Sequence, residues 1–242
     1  MGRERHLKSV AVSNARRPAS ETARPPARNV FHTLHPNLLI GLYRAMDMLS
    51  ALRAGPAHQP AEVTGFYEFG MYQGFSFWYA NNLAHEMGLR MEFHGFDSFQ
   101  GLPHSVVDIH RNWSAGSYAC SLEQVQDSLD KWGMPLRYYL HPGWYSQELF
   151  TKISGRHALP APGIILIDCD LYESAREVLA FLDSIMTRNT ILMFDDYNAF
   201  DGDPDHGERK ALAEFESSHP GFRKERLFAF GPYGEAFRVI DC

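Results

Sequence analysis

Residues 163–170 read Gly-Ile-Ile-Leu-Ile-Asp-Cys-Asp, an apolar run that stops on two carboxylates. Residues 190–198 repeat the form as Thr-Ile-Leu-Met-Phe-Asp-Asp-Tyr-Asn. Between them, residues 172–187 carry a helical apolar period. Strand, helix and strand in that order need a crossover, so the two strands run parallel. Working outward, the alternation continues. Strands are predicted at 64–69, 91–96 and 136–141, and helices at about 75–88, 121–132 and 146–154. Such alternation implies a parallel sheet covered on both faces. The last segment departs from it. After a helix at about 207–218, runs at 222–230 and 235–240 are joined by Gly231-Pro232-Tyr233-Gly234, a short turn-rich link that predicts a hairpin. The expected fold is α/β, a seven-stranded doubly wound sheet closed by an antiparallel C-terminal hairpin.

The chain of 242 residues carries a net charge of −6. Residues 1–30 hold seven cations and two anions, which leaves the other 212 residues at −11. This tail has three prolines and no apolar period, and is expected to be a disordered basic segment. Residues 31–60 form an N-terminal helical segment: Leu38, Leu39, Leu42, Met46, Leu49 and Leu52 recur at helical steps, with Gly55 just beyond. Residues 61–242 form the main domain. An acidic body argues against a nucleic-acid partner, because coating phosphates needs clustered Lys and Arg. No apolar run approaches the ~20 residues that span a membrane. Three cysteines, an odd and sparse set, fit a reducing, cytoplasmic location and exclude a disulfide scaffold.

The candidate chemistry lies at the strand ends, where doubly wound sheets bind ligands. The first strand ends Tyr67-Glu68-Phe69-Gly70-Met71-Tyr72-Gln73-Gly74. Gly70 and Gly74 would let the backbone approach a ligand closely. Their spacing is not the Gly-x-Gly-x-x-Gly of a pyrophosphate cradle. Asp97, ending the second strand and followed by Ser98, is placed to accept hydrogen bonds from ribose hydroxyls. Asp168, Asp170, Asp195 and Asp196 would meet at one sheet edge. Four carboxylates there repel unless a cation or protons compensate, and hard oxygen ligands suit Mg²⁺ or Mn²⁺.

The stretches YEFGMYQG, GFDSFQGLP, LIDCDLYES and MFDDYN, in that order, resemble the macrocin O-methyltransferase family over roughly residues 62–240. Those are S-adenosylmethionine-dependent enzymes of the Rossmann-like class I methyltransferase fold that methylate sugar hydroxyls. The resemblance implies a metal on Asp168, Asp195 and Asp196, with Asp170, or else Asp168, as general base. It implies a cofactor site made by Glu68, Gly70, Met71, Tyr72 and Gly74, by Asp97 and Ser98, and by Ser121 near the adenine. The acceptor would be a small-molecule hydroxyl, and the enzyme a homodimer. The chain departs from many relatives at Gln73, where they carry Arg, and at Pro142, where they carry Lys.

Other residues admit plainer readings. Ser121 is expected to cap the helix that begins at Leu122. His206 is either a solvated loop residue or an alternative base. The connection 104–120, with Asp108, His110, Trp113 and Tyr118, is either a lid or a surface loop. His94 and His141 are expected to be structural, and Phe75, Trp78 and Tyr79 to be core. The rival reading is a metal-dependent glycosyltransferase with an Asp-x-Asp strand end and a nucleotide-sugar donor.

Overall fold

The computed structural model describes residues 36–53, 63–105, 108, 113–156 and 158–242. The expected basic tail, the linker at 55–60 and His110 lie outside them. Helix α1 (Pro36–Arg53) precedes a unit of β1 (Thr64–Phe69), α2 (Phe75–Glu86), β2 (Met91–Asp97), α3 (Leu122–Trp132) and β3 (Tyr138–Pro142). Then come α4 (Gln147–Ser154), β4 (Pro162–Ile167), α5 (Tyr172–Leu182), β5 (Ile191–Phe194), α6 (Gly207–Ser218), β6 (Arg223–Phe230) and β7 (Gly234–Asp241). The sheet order is β3-β2-β1-β4-β5-β7-β6, with β7 antiparallel to both its neighbours. The expected topology and closing hairpin are therefore present.

The period-2 geometry of the strands sends alternate residues to two cores. Ile164 and Leu166 join the layer under α1, α2 and α3, while Ile165 and Ile167 join the layer under α4, α5 and α6. Burial on both faces explains why β4 is apolar throughout. Helix α1 is part of the first layer, with Leu42 and Met46 fully buried. Helix α1 thus packs onto the sheet.

Two element bounds differ from expectation for local reasons. Strand β3 starts at Tyr138, two residues late, because the Asn81 amide claims the backbone of Leu136. It donates to the Leu136 carbonyl (3.3 Å) and accepts from the Leu136 N–H (3.1 Å). Helix α5 stops at Leu182, although its apolar period runs on. Ile185 and Met186 still pack on the core from a turn closed by N–H bonds to the Leu182 carbonyl.

The crossovers of β1 and β4 converge at their carboxyl ends. There Gly70 adopts φ 92°, and a Cβ on it would lie 1.7 Å from the Asp168 carbonyl oxygen. Gly70 is required here by the close approach of two backbones as well as by its dihedral. Gly70→Ala should cost about 2–4 kcal/mol in urea-unfolding stability, since strain and a clash with backbone combine. A loss under about 0.5 kcal/mol would refute this packing.

Candidate active site

The ends of β1, β2, β4 and β5 wall a cavity of about 730 Å³, ample for a cofactor-sized molecule. Its first side is the β1–α2 turn. Glu68 is fully buried at the end of β1 and accepts a hydrogen bond from Ser76 Oγ at 2.6 Å. Its other oxygen, Oε2, is buried without a hydrogen-bond partner among the described residues. Burial pushes the Glu68 carboxyl up to about 8, opposed by the Ser76 bond and assisted by Asp97 and Asp195. Ser76 lines the cavity and Glu68 stands behind it.

Asp97 holds the same turn together. Its Oδ2 accepts the N–H groups of Met71 (2.7 Å) and Tyr72 (3.2 Å), and Oδ1 accepts that of Phe99 (2.6 Å). Burial nevertheless raises its pKa, with those three bonds and one from the Ser98 side chain opposing. Gly70, Met71, Tyr72, Asp97 and Ser98 all line the cavity. Gly74 and Ser121 are not among the described residues that do. Gly74 begins α2 at φ 77°, where a Cβ would press on Val125 at 3.1 Å. Ser121 forms a reciprocal capping box with Gln124 on α3. Both residues stand at helix starts, before α2 and α3.

The ends of β4 and β5 carry the acids. One oxygen each of Asp168, Asp195 and Asp196 lie within 4.8 Å of one another. Burial drives the Asp168 and Asp196 carboxyls well above the usual carboxylate range. Repulsion adds to this, first from Asp195 on Asp168 and first from Asp170 on Asp196. Asp170 lines the cavity beside them in the left-handed region, φ 62°, with its carboxyl pushed up to about 6 by burial. A non-glycine residue there is uncommon and stores backbone strain. Three oxygen donors so close, with two carboxyls pushed toward protonation, fit a hard divalent cation.

Sequence reading missed two further carboxylates. Glu208 is fully buried in the first turn of α6. It accepts the N–H groups of Cys169 (3.3 Å) and Asp196 (3.1 Å). Its spacing to Ala211, Leu212 and Phe215 placed it on the buried face of α6, a signal readable in the sequence. Asp108 had been read only as part of a loop. It is buried and accepts the first N–H of α5, from Tyr172, and the first of α6, from Gly207 (3.0 Å).

Of the remaining candidates, Trp113 and Tyr118 line the cavity, so the described ends of the 104–120 connection do cover it. His206 is not among the described lining residues. It precedes α6, pairs with Asp203 at 3.3 Å and stacks on Phe200. His94 and His141 are buried on the sheet face, 3.0 Å apart and stacked, as structural residues would be. Trp144 lies half-exposed at the cavity rim, and Tyr145 donates its hydroxyl to the Phe96 carbonyl at 2.9 Å.

Known structures share this architecture. The O-methyltransferase NovP superposes with a TM-score of 0.64 at 17% identity, covering 84% of this chain and 79% of its own. The calicheamicin methyltransferase CalS11 gives 0.62 at 20% identity, covering 87% and 82%. The fold is therefore that of class I methyltransferases. Within it, the macrocin-O-methyltransferase (TylF) family model matches residues 38–220, and the chain belongs to that family. A relative from Streptomyces olivaceus is 31% identical over 111 residues. It is 8-demethyl-8-(2,3-dimethoxy-alpha-L-rhamnosyl)-tetracenomycin-C 4'-O-methyltransferase. The match spans 42% of this chain and 40% of that relative.

The protonation of Glu68 has a measurable consequence. Its folded-state pKa, about 8, exceeds the ordinary 4.5, so the folded chain binds the extra proton between those values. Stability from this group is full below pH 4.5 and is lost as pH rises through 8. Glu68→Gln keeps the neutral shape. Between pH 5 and 8 the wild-type unfolding free energy should fall relative to the variant by up to ~1.4 kcal/mol per pH unit. Parallel pH profiles for the two proteins would contradict the assignment.

Proposed function

We propose that the chain is an S-adenosylmethionine-dependent O-methyltransferase acting on a hydroxyl of a sugar or other natural product. The observation that carries this reading is the placement of two unlike sites on one cavity. The Asp168, Asp195 and Asp196 oxygens, within 4.8 Å, and the Asp97-anchored turn line the same cavity. Family membership and the sugar-modifying relative support the acceptor class. They also displace the glycosyltransferase alternative.

In this reading Asp168, Asp195 and Asp196 hold Mg²⁺ or Mn²⁺, whose Lewis acidity would make a nearby acceptor hydroxyl a stronger acid. The protein's own groups do the rest. Asp97 fixes the β1–α2 turn and lines the cavity where a ribose hydroxyl would lie. Glu68, behind the cavity wall, accepts the Ser76 hydroxyl and so fixes that lining side chain at the methionine end of the cofactor. Asp170, with a pKa near 6, is largely ionised at neutral pH and able to take the acceptor's proton. The cavity would hold donor and acceptor together, so that the acceptor oxygen attacks the methyl carbon in line, the S–CH3 bond breaks and S-adenosylhomocysteine leaves, while the hydroxyl proton goes to Asp170. A cytoplasmic homodimer belongs to the same proposal. Helix α1 exposes Ile40 and Tyr43, and no helix among the described residues is long and apolar enough to cross a membrane.

The test is turnover of S-adenosylmethionine with a panel of vicinal-diol glycosides, with and without Mg²⁺. Asp195→Ala should lower kcat/KM by about 100-fold or more, given the several kcal/mol a Lewis acid supplies. Equal turnover by the wild type after chelator treatment would sink the metal role. No turnover with any acceptor, and no binding of S-adenosylhomocysteine, would sink the methyltransferase reading.

A further inference from the structure

The strongest unassigned feature is Glu208. Its carboxylate lies behind the acidic cluster, at the point where the turns after β4 and β5 come together. Oε1 accepts the N–H of Cys169, the residue between Asp168 and Asp170, and Oε2 accepts the N–H of Asp196. One side chain from α6 therefore ties together the two turns that carry all four acids. The link is dry, because Glu208 has no exposed surface.

The aim of Glu208 is itself fixed. The preceding residue, Gly207, takes φ 56°, and its N–H is held by buried Asp108 at 3.0 Å. A Cβ on Gly207 would meet the Phe200 ring at 2.8 Å. The start of α6 is thus pinned by the connection that follows β2, and the pinned helix presents Glu208 to both turns. Without the bridge, the β4 and β5 ends share a backbone bond from Asp195 N–H to the Ile167 carbonyl, one step before the acids diverge.

We propose that Glu208 is a positioning residue that sets the separation of the Asp168 and Asp195–Asp196 carboxylates, so that they accept a divalent cation as one set. The proposal rests on the metal reading above and adds a residue to it. Glu208 does not line the cavity and supplies no ligand atom; it acts through the backbone of the residues that do. Glutamine at this position fills the same space but offers one acceptor. Its amide nitrogen would face a backbone N–H, so one half of the bridge is lost. Aspartate keeps the charge but is a methylene shorter, and does not span both N–H groups.

The experiment is titration of the full chain with Mn²⁺ alone, followed by electron paramagnetic resonance of the free ion. Circular dichroism at the assay temperature serves as the folding control. The unmodified chain should bind one ion, and Glu208→Gln should bind it roughly 10- to 100-fold more weakly, as for other outer contacts of metal ligands. Glu208→Asp should show a loss of the same order, and it decides the matter if the glutamine variant does not fold. A folded variant with unchanged Mn²⁺ affinity, even one with a lower melting temperature, would overturn the proposal and leave the metal reading intact. Absence of Mn²⁺ binding by the unmodified chain would overturn both.

Discussion

Mutual repulsion among carboxylates is the constraint around which this molecule is arranged. Asp168, Asp170, Asp195, Asp196 and Glu208 crowd one edge of the sheet, and Glu68 and Asp97 stand at the ends of the neighbouring strands β1 and β2. Like charges in a poorly solvated place cost free energy unless donors, protons or a cation offset them. The structure supplies backbone donors where it can. Glu208 takes two N–H groups, Asp97 three and Asp108 two, the last at helix starts where the macrodipole favours negative charge. Burial and repulsion still push the Glu208 carboxyl well up, as they do those of Asp168 and Asp196, and Asp168 and Asp196 are in the set whose oxygens converge.

Backbone geometry serves the same turns. Positive φ at Gly70, Tyr72 and Gly74 folds the β1–α2 turn tightly enough for Asp97 to reach two of its N–H groups. Positive φ at Asp170 turns the chain out of β4 before α5 begins at Tyr172. Such strain persists only where surrounding contacts determine the conformation. Here those contacts are the two packed layers and, at the ends of β4 and β5, the Glu208 bridge.

Much of this was legible in the sequence, for identifiable reasons. The 163–167 and 190–194 runs announce buried parallel strands, and the acids that end them must meet wherever β4 and β5 are neighbours. The Gly-Pro-Tyr-Gly link announces the hairpin that reverses β7. What escaped notice depended on pairing across long stretches of chain. Asp108 sits amid an irregular connection, and only the folded structure shows that it meets helix starts 64 and 99 residues away. Glu208 drew no reading in the sequence, although its place on the apolar face of α6 was a legible signal. Ser121 was legible as the cap of α3, and its capping box with Gln124 is present. The Asn81 amide explains the short β3 in the same way, through a side chain that competes with the strand ladder.

The central claim is that the convergent acids are compensated by a divalent cation. Thermal unfolding of the full chain in excess chelator and in saturating Mg²⁺ tests it most directly. A ligand at 100 times its Kd stabilises by about 2.7 kcal/mol, or roughly 5–10 °C for a domain of this size. The account predicts such a rise in midpoint. An identical midpoint in both conditions, with Mn²⁺ as ineffective as Mg²⁺, would contradict it.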